Sequence, residues 1–150
     1  LRDNIMKIKT DFEHNGNIPS KYTCDGDDKA PILNILDVPK DAKELVLIVD
    51  DPDAPIGLWV HWILYNISPD VEVIDNDNLP SGVKQGMTNF GRLGWGGPCP
   101  PDGMHRYFFK LYALDTSLNL KEGLNKEELE EKIKNHIIEK TELIGLYKRI

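Results

Sequence analysis

Leu45-Val46-Leu47-Ile48-Val49 is the stretch that most restricts the folds open to this chain. Its residues are all apolar, and Val46, Ile48 and Val49 are β-branched, so the backbone favours an extended form. No polar face is left for water. A strand of this kind has to be buried on both sides. The run stops abruptly at Asp50-Asp51-Pro52-Asp53-Ala54-Pro55, a stiff acidic corner that closes the apolar layer.

Other segments fit a sheet around that strand. Met6, Ile8, Thr10 and Phe12 alternate with polar residues, the period of a half-buried strand. Leu58 to Ile67 and His105 to Leu114 are longer strands rich in aromatics, and Leu143 to Lys148 is a last short one. Gly16 to Lys29 and Asp70 to Met87 are polar, turn-rich connections. Near the C-terminus a helix is expected, with Asn125 as N-cap and Glu127 and Glu128 at its positive end. Leu129, Ile133 and Ile137 repeat at spacing four to give its apolar stripe, and Glu128–Lys132 and Glu130–Lys134 are i,i+4 pairs on the wet side. Several strands and two helices make a mainly β domain with peripheral helices. There is no internal repeat and no linker, so residues 1–150 read as one domain, long enough to bury roughly two-thirds of its unfolded surface.

Strand parity brings out a chemical feature. Side chains alternate between faces, so Trp59, His61, Ile63, Tyr65 and Ile67 share one side, and His105, Tyr107, Phe109, Leu111 and Ala113 share another. In each row a histidine leads apolar residues and sits where the core meets solvent. One such histidine reads as a core residue satisfied by a backbone carbonyl. Two of the same design, each beside a Pro/Gly loop, point to one shared polar pocket. The second loop is Gly96-Gly97-Pro98-Cys99-Pro100-Pro101. Gly96 and Gly97 are expected to take positive φ and open their N–H groups as an anion nest, while the prolines stiffen the wall. Asp51 and Asp53 are placed to orient the imidazoles or to receive a ligand ammonium or hydroxyl, and the plain alternative is an Asx-capped turn. Asp51–Pro52, Ala54–Pro55 and Gly97–Pro98 are candidates for cis bonds. Arg106 points away from His105 and pairs structurally with a carboxylate.

Composition narrows the function classes. The net charge of −7 argues against nucleic-acid and anionic-membrane binding, which need a basic face, but leaves a local anion site open. No apolar run approaches the ~20 residues of a membrane span, and no secretory signal is visible. The expected location is cytoplasmic, with export left open because the chain opens on Leu1. Cys24 and Cys99 are the two cysteines. Neither belongs to a Cys-x-x-Cys pair, which argues against structural zinc. They are either two free thiols or one bridge between loops, and a bridge would indicate an oxidising compartment or a thermophile interior.

The ordered combination of Asp51-Pro52-Asp53-Ala54-Pro55, His61-Trp62, the Gly96 to Pro101 loop and Gly103-Met104-His105-Arg106-Tyr107 resembles the phosphatidylethanolamine-binding protein family. It is most similar to the bacterial and archaeal branch often called Raf-kinase-inhibitor-like. Ile18 to Gly26 and Glu142-Leu143-Ile144-Gly145 are similar to that branch too, so the resemblance spans essentially the whole chain. It implies a β-sandwich with Greek-key-like topology and a small anion pocket at one end. The pocket residues it implies are Asp51, Asp53, Trp59 and His61 from the first loop and strand, and Gly97, Pro98, His105 and Tyr107 from the second, with Gly96 beside them. The family's pocket accepts phosphate, phosphoethanolamine-like head groups, acetate or phosphotyrosine-like groups. Three positions depart from the branch: Thr88-Asn89-Phe90-Gly91 stands where Asn-Asp-Phe-Gly is usual, Trp95 where Tyr is frequent, and Ile35 where Trp is common. The helix that gates the pocket in eukaryotic relatives has no clear counterpart.

These readings lead to a non-enzymatic protein that binds a small anionic or phosphorylated ligand without a cofactor or resident metal, and that modulates a kinase or another protein partner. A homodimer is the expected assembly. The alternatives are a protease inhibitor presenting Asp70 to Gly86 as its reactive segment, a metal-assisted hydrolase using Asp51, Asp53, His61 and His105, and a scaffold without ligand function. Against the hydrolase stand the lack of a His-x-x-x-His or Glu-x-x-His spacing and of any nucleophile elbow around Ser68 or Ser81.

Overall fold

The computed structural model describes residues 4–149. Its strands are β1 (Lys7–Lys9), β2 (Gly16–Asn17), β3 (Leu33–Leu36), β4 (Glu44–Asp51), β5 (Trp59–Ile67), β6 (Val73–Ile74), β7 (Lys84–Gln85), β8 (Met104–Leu114) and β9 (Ile137–Lys148), with one helix, α1 (Lys126–Ile133), before the last strand. They form a three-stranded sheet, β1-β3-β6, and a six-stranded sheet, β2-β9-β8-β4-β5-β7. All pairings are antiparallel except the short parallel β2/β9 contact.

The apolar run of β4 is covered as its composition demands. Every residue of β4 is buried. Leu45, Leu47 and Val49 face a core shared with Ile8, Leu33, Ile35 and Ile74 of the smaller sheet. Val46 and Ile48 face the opposite way, into a second core closed by Leu124 and by Leu129 and Ile133 of α1. An antiparallel sheet often leaves one face wet; here both faces of its centre are covered.

Parity holds in β8 and breaks in β5. Tyr107, Phe109, Leu111 and Ala113 all enter the inter-sheet core. In β5 the register against β4 slips by one residue in two places. Val49 pairs with Trp62 but Asp50 with Val60, and Leu47 pairs with Leu64 but Leu45 with Ile67. Each slip is a β-bulge, which places two residues opposite one and re-aims the side chains around it. The first bulge leaves His61 as the extra residue. Trp59 and Trp62 therefore lie on the inter-sheet side, whereas Ile63 and Tyr65 turn to the helix-covered side, contrary to simple alternation. The second bulge is accommodated by Asn66 in the left-handed region, φ 58°.

The helix is shorter than its apolar spacing suggests, and it is the one α-helix among the described residues. Ile137 belongs to β9, which extends well beyond the expected Leu143 to Lys148. Asn125 caps α1 by accepting from the Glu128 N–H, and Glu128 returns a bond to the Asn125 N–H. That capping box removes Glu128 from the expected pairing with Lys132. The helix ion pairs are Lys126–Glu130 and Glu131–Lys134, both 2.8 Å. Peptide bonds among the described residues are trans, the three candidate X–Pro bonds included.

Asn125→Ala should lower stability by about 1 kcal/mol through loss of the cap, read as a lower urea midpoint with an unchanged slope.

Candidate functional site

Three strand ends of the six-stranded sheet meet at one corner: the end of β4 at Asp51 and the starts of β5 at Trp59 and of β8 at Met104. The loops that follow or precede them close a cavity of about 320 Å³. Asp51, Trp59, His61, His105 and Tyr107 line it, so five of the expected site residues come together. Phe90, Pro100, Pro101 and the exposed Ile56 complete an otherwise apolar wall.

His61 and His105 are both nearly buried, and they are held differently. His105 Nδ1 lies 2.6 Å from Asp51 Oδ2, and Nε2 lies 3.1 Å from the Asp102 carbonyl. Both neighbours accept, so the imidazolium form satisfies both while a neutral ring can donate to only one. Asp51 also accepts the Asp53 N–H on Oδ1 at 2.7 Å. The acidic corner is thus an Asx turn and a histidine clamp at once. His61 has no carboxylate. Its Nδ1 is 2.6 Å from the Gly96 carbonyl, so Nδ1 carries the proton and Nε2 is the ring atom left for a ligand. Burial holds the His61 pKa below its ordinary value, with the Gly96 carbonyl opposing. Tyr107 packs edge-on against His61 at 5.1 Å, and burial together with the Asp51 and Asp53 charges raises its hydroxyl pKa, keeping it a donor.

Phe90 is a site residue the chain pattern did not single out. It packs edge-on against Trp59 and His61, with ring centres 5.5 and 5.3 Å away. Its position depends on Asn89, whose side chain accepts the Val60 N–H at 2.6 Å, and on Gly96, where a Cβ would stand 2.3 Å from the Phe90 ring. The available signal was its place in Thr88-Asn89-Phe90-Gly91, the segment compared above with the family's Asn-Asp-Phe-Gly.

Four expected residues play other parts. Gly96 and Gly97 do not form an anion nest. Neither has positive φ, and their N–H groups already donate to the His61 carbonyl at 3.0 Å and to Asp28 Oδ1 at 2.8 Å. They are glycines because neighbours approach too closely for a side chain: at Gly97 a Cβ would lie 2.3 Å from the Tyr22 carbonyl. Pro98 is buried behind the wall and accepts the Cys24 N–H at 3.1 Å. Asp53 orients no imidazole. It grips Arg106 with both oxygens, at 2.8 and 2.9 Å, and that guanidinium holds the Asp53 pKa below the usual carboxylate range. Arg106 therefore pairs with a carboxylate on the face away from His105, as its parity requires. Among the described residues no three His, Cys, Asp or Glu side chains converge as a metal site needs.

Cys24 and Cys99 form a disulfide. It spans 75 residues of sequence, and by chain entropy a closure of that length stabilises by about 4 kcal/mol. The Asp70 to Gly86 segment is not a free loop, since β6 and β7 pair with β3 and β5 and Ile74 is buried. A larger groove of about 670 Å³ lies elsewhere, beside Asp11, Lys21, Tyr22 and Asp77. Its charges face each other: Tyr22 donates to Asp11 at 2.6 Å and Lys21 reaches Asp11 at 3.4 Å. It holds no buried polar group of the kind seen at the strand corner.

The family model described as phosphatidylethanolamine-binding protein matches residues 8–148. The chain belongs to that family. Relatives include a UPF0098 protein of Methanothermobacter thermautotrophicus, 50% identical over 150 residues and covering 96% of this chain and 99% of the relative. A UPF0098 protein of Pyrococcus horikoshii is 47% identical, covering 96% of this chain and 77% of its own. Among solved structures, a phosphatidylethanolamine-binding protein homologue from Chlamydia trachomatis superposes with TM-score 0.93 at 43% identity, covering 99% of this chain and 100% of that one. E. coli YbcL, described as a member of the mammalian family, superposes with TM-score 0.89 at 27% identity, covering 98% and 100%. Against the family pattern, two of this chain's three departures are core residues. Trp95 donates to the Tyr22 carbonyl at 3.3 Å and stacks on Phe109, and Ile35 lies between the sheets. The third, Asn89, clips β5.

Asp51→Ala should destabilise the protein by about 3–5 kcal/mol, because it leaves a buried imidazole without its partner; chemical denaturation reads this directly. In a ring NMR titration His61 should gain its proton below the ordinary 6.5. The unfolded ring binds that proton first as pH falls, so His61 should lower stability between 6.5 and its own folded midpoint.

Proposed function

We propose that this protein binds a small anion, phosphate or a phosphomonoester, in the cavity at the strand corner, and that it acts by binding rather than by turnover. The observation that carries the reading is the His61 ring. Its Nδ1 is fixed on the Gly96 carbonyl and Nε2 is left for a ligand, on a ring that is itself buried. A protonated Nε2 is a charge-assisted donor to an anionic oxygen, and the Tyr107 hydroxyl is a second donor in the same cavity. His105 contributes positive charge when protonated, with both ring nitrogens already directed at protein acceptors. No activated nucleophile accompanies them: the one cysteine in the cavity wall is in the disulfide.

The cavity favours the phosphate part of a phosphoethanolamine-like head group over its ammonium. Asp51 is the carboxylate among the lining residues, and both its oxygens have protein partners. The apolar wall of Trp59, Phe90 and Pro100 suits an uncharged substituent. Ile56, 84% exposed at the cavity mouth, supplies contact for a protein partner, through which ligand occupancy modulates a kinase or other target. No described helix is long and apolar enough to cross a membrane. The disulfide fits either an oxidising compartment or a thermophile's interior, and the cytoplasmic placement goes with the second.

Sulfate tests the reading cleanly, because its charge is constant across the imidazole range. Its affinity, followed by His61 and His105 ring shifts, should rise as pH falls from about 7.5 to about 5.5. His61→Ala should weaken it roughly ten- to a hundredfold, the worth of a hydrogen bond to a charged group, with the fold retained by circular dichroism. A pH-independent affinity, or binding untouched in His61→Ala, would refute the site. Phosphoethanolamine should bind no more tightly than methyl phosphate; tighter binding would mean that a carboxylate receives the ammonium after all.

A further inference from the structure

We propose that the Cys24–Cys99 bond is a thiol–disulfide exchange site that sets the geometry of the cavity, so that a dithiol reductant weakens anion binding. The proposal rests on the ligand reading above. Both cysteines are exposed, so a small dithiol or a reductase can reach the sulfurs, as exchange requires. Cys99 is at the same time part of the cavity wall, with Pro100 and Pro101 beside it.

The segment from Gly96 to Asp102 positions both imidazoles. At one end the Gly96 carbonyl takes His61 Nδ1, and at the other the Asp102 carbonyl meets His105 Nε2. The segment, with Trp95 just before it, leans on the 20–28 loop through three hydrogen bonds: Trp95 Nε1 to the Tyr22 carbonyl, the Gly97 N–H to Asp28 Oδ1, and the Cys24 N–H to the Pro98 carbonyl. All three act at or before Pro98. Among the described residues, no backbone hydrogen bond ties Cys99, Pro100 or Pro101 to that loop. The disulfide is the link there, in the middle of the stretch that walls the cavity.

The exchange balances with a dithiol as co-reactant. One thiolate of the dithiol attacks a cystine sulfur, the Cys24–Cys99 bond breaks, and the other cysteine leaves as a thiolate that takes a proton. The second thiol of the reductant then displaces the protein from the mixed disulfide. The protein gains two thiols and the reductant becomes a cyclic disulfide. The wall is then held only up to Pro98, so Cys99, Pro100 and Pro101, with the Asp102 carbonyl that faces His105, lose their fixed placement and the site loses preorganisation.

The test compares the oxidised chain with the chain reduced by dithiothreitol, with thiols counted by mass after alkylation. Three readouts follow: sulfate affinity, His61 and His105 ring resonances without ligand, and far-UV circular dichroism. Reduction of the folded protein should give two alkylated cysteines, move the His105 ring resonances more than those of His61, and weaken sulfate binding by about tenfold through lost preorganisation. The double variant Cys24→Ser/Cys99→Ser should behave like the reduced chain and ignore dithiothreitol. Resistance of the folded protein to reduction, unchanged rings and affinity after complete reduction, or loss of the β signal on reduction would each overturn the proposal, the last by making the bond a staple of the whole fold. If the oxidised protein fails to bind sulfate, the ligand reading falls, and the ring resonances still decide whether the bond governs the site.

Discussion

A carboxylate at the last residue of a strand buried on both faces is the constraint around which the site is arranged. β4 can be covered on both sides because its side chains offer nothing to water. When it reaches Asp50 and Asp51 that condition fails, and each charge must find partners where it stands. Alternation sends them to opposite sides. Asp50 turns toward the helix-covered face and meets Lys110 at 3.0 Å, with burial raising its pKa against that pairing. Asp51 turns toward the inter-sheet side, where β8 delivers His105 and the following turn delivers the Asp53 N–H. The polar corner of the core follows from ending the apolar run at that point.

What fills the corner was partly legible. The period of two in β8 placed His105 and Tyr107 on the side of Phe109 and Leu111, because an unbulged strand keeps its alternation over its full length. The same count failed in β5. The extra residue at His61 brings that ring and Trp62 to the inter-sheet side and sends Ile63 and Tyr65 the other way. A bulge is a property of the pairing between two strands, so no count along one of them detects it. The helix shows the same limit. Asn125, Leu129 and Ile133 were readable from capping and spacing, but Ile137 continued the spacing and still joined β9, where eleven residues pair with β8.

The glycines mark where local reasoning chose the wrong physical cause. Gly96 and Gly97 suggested positive φ and open N–H groups, but the structure uses them for closeness, with Phe90 against one and the Tyr22 carbonyl against the other. Both causes leave the same residue in the sequence. The cysteines are similar: Cys24 and Cys99 allowed two states, and the bridge became evident only when the 20–28 loop was seen lying along the Gly96 segment.

These placements bear on how an acidic protein can hold an anion. A net charge of −7 sets up a field unfavourable to anions, but at physiological ionic strength it is screened beyond about 8 Å. Inside the cavity the balance is local. Asp51, the carboxylate of the wall among the described residues, is taken up by the His105 ring and the Asp53 N–H, and Asp53 outside it is paired with Arg106. Once those pairs are formed, a proton on His61 is an unbalanced positive charge in apolar surroundings. That is why burial lowers the His61 pKa, and why an arriving anion would stabilise the protonated ring. On the proposed reading, ligand and proton enter together, and the surface charge governs the rate of approach more than the strength of the hold.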